Sequence, residues 1–147
     1  MTDKLFIPRA REGNKRWYCG PYVMGAVTGY SFEVIRTVLN KAKRRPLTTG
    51  VCGVQPWELQ QAFRSVGWER ELLYSHKDEG ATPMKLKDWL KTLKPDDDQF
   101  YVVYITRHYV AVQGGMFIDT FSTHKVNTAY APHQNKKVKE VYCMYKR

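Results

Sequence analysis

The sequence predicts an α+β fold in which N-terminal helices pack on a C-terminal antiparallel β-sheet. Three observations carry this. Between Cys19 and Leu93, apolar residues recur at helical spacing in segments with recognisable starts and stops. From Gln99 onward the chain turns to β-branched and aromatic runs. Within those runs, "HYVAVQ", "GG" and "MFIDTF" read as a hairpin around a two-residue glycine turn. Helices that come first and strands that come second segregate into the layers of an α+β domain.

Residues 1–16 read as an extended lead-in. The first helix opens at Cys19–Gly20–Pro21, where proline is at home because a first-turn N–H has no helical partner to lose. Tyr22, Val23, Ala26 and Val27 form its apolar face, and Gly29 is its stop. Ser31 caps a second helix with Phe32, Ile35, Val38 and Leu39 inward, which dissolves into the basic run "KAKRRP". "LTTGVCGV" is a glycine-bearing loop. "QPWELQQAFRSVG" is a third helix with Pro56 in its first turn, Gly67 at its end and Leu59, Phe63 and Val66 inward; "ERELLY" is a short strand. "TPMKLKDWLKTL" reads as a fourth helix with Thr82 as N-cap, Pro83 in the first turn and Leu86, Leu90 and Leu93 as its seam. Pro95 and the "DDD" run make a turn; "QFYVVYITR" and "VKEVYCMY" are strands on either side of the hairpin.

With 147 residues, no internal repeat and no linker, 1–147 is expected to be one domain. No apolar run is long enough to span a membrane, and the N-terminus is too polar for a signal peptide, so a cytoplasmic protein is expected. Cys19, Cys52 and Cys143 are odd in number and far apart, which argues against a disulfide framework; with no close ligand pair they do not suggest a metal centre. No cofactor is implied. Lys and Arg number 24 against 14 Asp and Glu, a net charge of +10 concentrated toward the two ends of the chain. That balance suits an acidic protein, a nucleic acid or an anionic surface as partner, and equally a merely solvated surface. No nucleic-acid-binding motif is present.

The chemistry-bearing stretch is "NKRWYCGPYVMGAVTG". A thiol at the threshold of a helix faces the positive end of the helix dipole, which favours thiolate. A base is then required. With Gly114–Gly115 as the turn, Gln113 faces Met116, Val110 faces Asp119 and His108 faces Phe121. Paired residues share a sheet face, as do residues two apart, so His108 and Asp119 are diagonal neighbours on one face. Nucleophile, base and orienter for acyl transfer are thereby Cys19, His108 and Asp119. Other readings stand beside these: Cys19 as a core thiol, His108 as a satisfied strand histidine, and Asp119 as a strand-ending turn residue. Cys52 has no helix start behind it, and Cys143 alternates with Val141 and Tyr145 as a core residue would. His76, His124 and His133 lie in polar surroundings and read as surface. Trp17 and Tyr18 either wall a substrate groove or staple the first helix.

At these residues the sequence resembles papain-like cysteine peptidases, and within them the small bacteriocin-leader peptidase branch with its compact phage and bacterial relatives. "YCGPYVMGAVTG" is similar to the Cys-Gly-Pro helix opening of that group, and "HYVAVQGGMFIDT" to its His-Tyr-Val-Val-x-Gly…Asp hairpin. The order of elements between them also matches. The resemblance implies a peptidase acting on a protein or peptide through Cys19, His108 and Asp119, and by association a viral or mobile-element origin. In the family a Gln about six residues before the cysteine lines the oxyanion hole; here Gly13 holds that position and Asn14 stands next to it. Asn14 carries the right donor and is the candidate, with the backbone N–H of Cys19 as the second donor. Two alternatives remain: another acyl transfer on the same fold, of the amidase, deubiquitinase or transglutaminase kind, and a non-enzymatic basic binding protein.

Overall fold

A computed structural model of the chain describes residues 4–8, 18–46, 53–78, 80–106, 108–118, 126–127 and 134–147. Its elements in chain order are α1 (Cys19–Thr28), α2 (Phe32–Ala42), α3 (Pro56–Ser65), β1 (Trp68–Ser75), α4 (Leu86–Leu90), β2 (Phe100–Ile105), β3 (His108–Gln113), β4 (Met116–Ile118), β5 (Val126–Asn127) and β6 (Val138–Lys146). The strands form one six-stranded sheet in the order β1-β6-β2-β3-β4-β5, with every neighbouring pair antiparallel. Helices packed on an antiparallel sheet are the α+β layout expected from the sequence.

The helices α1 to α3 follow their local signals. Gly20 to Val27 of α1 are all buried, in keeping with a segment that carries no charge. α1 ends at Gly29, whose φ of 78° lies in the left-handed region and whose N–H reaches Gly25 O. A Cβ there would also lie 2.7 Å from the Phe6 ring, so glycine is required twice over. In α2 the Ser31 hydroxyl accepts from the Val34 N–H at 3.4 Å, and Phe32, Ile35 and Leu39 are buried on one face. α3 has Pro56 in its first turn and a reciprocal cap in which the Gln55 N–H donates to Glu58 Oε1 at 2.8 Å.

Both faces of the sheet are covered. Phe100, Val102, Tyr109, Ala111, Ile118, Tyr142 and Met144 join a core with α1, α2 and α3. The alternate residues Tyr101, Val103, Ile105, Val110, Val112, Phe117, Val141 and Cys143 join a second core with Leu86, Trp89 and Leu90 of α4. This is why the strands read as nearly continuous apolar runs rather than as alternations: each side of the pleat meets its own core. β2 and β3 are joined by two residues, with Ile105 opposite His108 and Tyr104 opposite Tyr109. β3 and β4 turn at Gly114–Gly115 in the expected register, with Gln113 opposite Met116, Val112 opposite Phe117 and Ala111 opposite Ile118. Gly114 has a φ of 58°, and a Cβ on it would lie 2.7 Å from Pro95 O.

The fourth helix differs from expectation. It has five residues, begins at Leu86 after Lys85, and neither Thr82 nor Pro83 starts it. The cause is long-range. Lys85 bridges to Lys137, the Val138 N–H donates to Met84 O at 2.9 Å, and the Leu86 and Lys87 N–H groups donate to Lys136 O and Gln134 O at 2.9 and 3.0 Å. The approach to β6 thus takes up backbone groups that a helix from Thr82 would have turned inward. β5 was not anticipated. In the lead-in, the Leu5 N–H donates to Gln113 Oε1 at 3.0 Å and the Phe6 N–H to Ala26 O at 2.7 Å, which ties β3 to the C-terminal half of α1.

Candidate active site

Helix α1 packs on the helix-side face of the sheet with its first residue against the start of β3. Cys19 is half-buried there, at the margin of the core formed by α1, α2 and α3. The His108 ring and the backbone N–H groups of Tyr109 and Gly20 surround its sulfur and favour the thiolate. His108 is the first residue of β3 and is 5% exposed; its backbone is fixed by pairing with Ile105. The sequence-predicted nucleophile and base are therefore in contact.

Two opposed influences act on the Cys19 thiol. Burial is the largest and pushes its pKa up; the His108 hydrogen bond, the Tyr109 N–H, the charge of His108 and the Gly20 N–H pull it down. The downward influences win, and the thiol titrates below its ordinary value. Cys143 shows the contrary case. It is buried in the α4-side core, its S–H donates to Gln99 Oε1 at 2.8 Å, and burial followed by the charges of Glu71 and Asp97 pushes its pKa up. Reactivity toward electrophiles follows thiolate character, so these two thiols are chemically distinct.

Tyr109, next to His108, has contacts on both sides of the site. Its ring stacks on Tyr104 with centroids 4.7 Å apart, and its hydroxyl donates to Val54 O at 2.8 Å. Val54 in turn packs on Gly20: a Cβ at that glycine would lie 3.0 Å from Val54 Cβ. Burial, with Tyr104, Cys19, Tyr142 and Glu140 in its surroundings, pushes the Tyr109 phenol up, so it stays a neutral donor. In the sequence this tyrosine stands out only as the second residue of the "HYVAVQ" stretch.

Tyr18 precedes Cys19 as the N-cap of α1, in extended backbone and 40% exposed. Asn14, Trp17, Cys52 and Asp119 lie outside the described residues, as do His124 and His133; the β3–β4 register stands through Ile118, one residue before Asp119. Asp97, in the turn before β2, is committed to other partners. It accepts from the Tyr101 hydroxyl at 2.7 Å and from the Gln99 N–H at 2.9 Å. Tyr101 pairs with Val112 while His108 pairs with Ile105, so Asp97 belongs to the far end of the β2–β3 ladder, about 13 Å along the strands. His76 is exposed. Among the described residues no group of three or more His, Cys, Asp or Glu could hold a metal ion, and no helix is long and apolar enough to cross a membrane.

No family model and no curated protein matches the sequence. Among solved structures the chain is similar to the peptidase domain of Streptococcus ComA, described as a bi-functional ABC transporter involved in a quorum-sensing pathway. The likeness has a TM-score of 0.53 at 18% identity and covers 99% of each chain. The fold is papain-like. Here the start of α1, which carries the Cys19 thiol, meets the start of the inner strand β3, which carries the His108 imidazole.

Proposed function

We propose that the chain is a thiol hydrolase of the cysteine-peptidase kind, acting on a protein or peptide. One observation carries the reading: the His108 ring hydrogen-bonds the sulfur of a cysteine whose pKa is lowered in spite of its burial. In the proposed reaction the Cys19 thiolate adds to the carbonyl carbon of the scissile amide, forming the S–C bond and an oxyanion. Protonated His108 gives its proton to the leaving nitrogen as the C–N bond breaks. A water molecule, losing a proton to neutral His108, then adds to the thioester carbonyl and expels the Cys19 thiolate. Asp119 is the proposed orienter of His108, supported by the hairpin register through Ile118. Asn14 and the Cys19 N–H are the proposed oxyanion donors, and Trp17 and Tyr18 the proposed walls of the substrate groove. The net charge of +10 favours acidic substrates. The fold likeness to a peptidase domain supports a peptide substrate.

The reading is tested with a diverse peptide mixture digested by the wild-type protein and by Cys19→Ala, with circular dichroism as the control for folding. Cleavage by the wild type and none by a folded Cys19→Ala protein is the expected outcome. Near-wild-type turnover by Cys19→Ala would place the chemistry elsewhere.

A further inference from the structure

We infer that Tyr109 is a positioning residue for the Cys19 sulfur, acting through Val54 and Gly20 in a closed ring of contacts. The inference rests on the reading of Cys19 as the reactive thiol and adds to it the device that holds the thiol in place.

A need for such a device is visible in α1 itself. Its N-cap residue, Tyr18, makes no side-chain cap hydrogen bond, and its first turn contains no acidic residue. Helix starts usually rely on such groups to satisfy and fix their free N–H donors. Contacts from other parts of the chain meet the start of α1. The ring runs from the sulfur to the Tyr109 N–H, through the Tyr109 side chain to its hydroxyl, and from there to Val54 O at 2.8 Å. It continues through the Val54 side chain, which occupies the space a Cβ on Gly20 would need, and returns by the Gly20 N–H to the sulfur. Both backbone donors to the sulfur therefore belong to residues that Val54 touches.

The loop that carries Val54 is itself anchored at three successive residues. Lys43 Nζ donates to Gly53 O, Tyr109 to Val54 O, and the Gln55 N–H donates to Glu58 Oε1, which Lys43 approaches at 3.4 Å. Of these anchors, only Tyr109 also touches the thiol. The Tyr109 ring is buried and stacked on Tyr104, so its hydroxyl has little freedom to seek another acceptor. The tight Gly20–Val54 contact also gives a reason for glycine after the cysteine that does not depend on backbone conformation: a Cβ there would meet Val54 Cβ at 3.0 Å, so the loop would have to give way.

Tyr109→Phe removes only the hydroxyl and keeps the ring and the N–H. Iodoacetamide labelling of Cys19, mapped by mass spectrometry across pH, is the readout. The midpoint of the labelling profile should move up by several tenths of a pH unit, with a roughly threefold fall in rate at pH 6, the size expected for losing one ordinary hydrogen bond. Val54→Ala, which loosens the contact on Gly20, should shift the profile in the same direction. The double variant should be no worse than the larger single effect, because both act through one chain of contacts. A lowered melting temperature with an unmoved labelling midpoint in both variants would make Tyr109 merely structural and overturn the inference. Labelling needs no substrate, so a protein that cleaves no peptide but shows these shifts would refute the peptidase reading and leave the positioning role standing.

Discussion

Replacing His108 with alanine tests how the thiol is activated. Burial is the largest influence on Cys19 and acts upward; the lowered pKa exists because His108 offsets it with a hydrogen bond and a charge. His108→Ala leaves the burial and the Tyr109 and Gly20 N–H groups, and burial should then prevail. A hydrogen bond to a charged group is worth about 1.5–3 kcal/mol, or roughly 1–2 pKa units. That implies about 10- to 100-fold less thiolate at pH 6. A more basic thiolate is intrinsically more nucleophilic, with a Brønsted slope of about 0.4–0.5, which returns somewhat less than half of the logarithmic loss. The net expectation is a fall in iodoacetamide labelling of Cys19 of about 3- to 15-fold at pH 6, with the profile displaced to higher pH. For scale, an ordinary thiol of pKa about 8.5 is only about 0.3% thiolate at pH 6. In the wild type Cys19 should therefore be labelled before Cys143, whose pKa is raised, and before Cys52. Stopped-time labelling followed by peptide mapping reads all three thiols at once. An unchanged midpoint in folded His108→Ala, or equal labelling of the three cysteines in the wild type, would refute the reasoning.

The acidic residues separate by role. Asp119→Asn should retain more peptidase turnover than His108→Ala, because an amide can partly hold an imidazole; Asp97→Ala should leave turnover intact and cost about 1–3 kcal/mol of stability as the Tyr101 phenol loses its acceptor. A silent Asp119→Ala beside an inactive Asp97→Ala would show the assignment to be wrong. Gly29→Ala should destabilise by about 1–2 kcal/mol from the left-handed backbone alone, with the displaced Phe6 ring in addition, while activity per folded molecule is kept. Thermal unfolding beside titration of active thiol distinguishes the two effects.

What could be read in advance depended on how local each signal was. Ser31, Pro56, Gly29 and the Gly114–Gly115 turn act within a few residues of themselves, and α1, α2, α3 and the β3–β4 register followed from them. The register mattered most, since it alone related His108 to the strand that leads to Asp119. Thr82 and Pro83 gave an equally plausible local signal for α4 and were overridden by pairing with residues 134–138, a third of the chain away. Cys19 carried a local cue at the helix threshold, but its contact with β3 was legible only through the resemblance and the search for a base. Gly20 and Tyr109 lie in stretches the sequence singles out, but their link through Val54 had no cue, because it joins three distant parts of the chain.

The two halves of the candidate site lie on elements that form in different ways. Cys19 belongs to the first helix and His108 to a strand defined only once β2 pairs with it. Neither the imidazole nor the Tyr109 N–H can reach the sulfur until α1 has docked on the assembled sheet. Most of what lowers the thiol pKa thus arrives with docking, since only the Gly20 N–H belongs to α1 itself. During refolding the perturbed thiol should appear together with the last tertiary contacts rather than with helix content. Labelling at low pH becomes a clock for completed assembly, and a nascent or partly unfolded chain would carry a cysteine of ordinary reactivity.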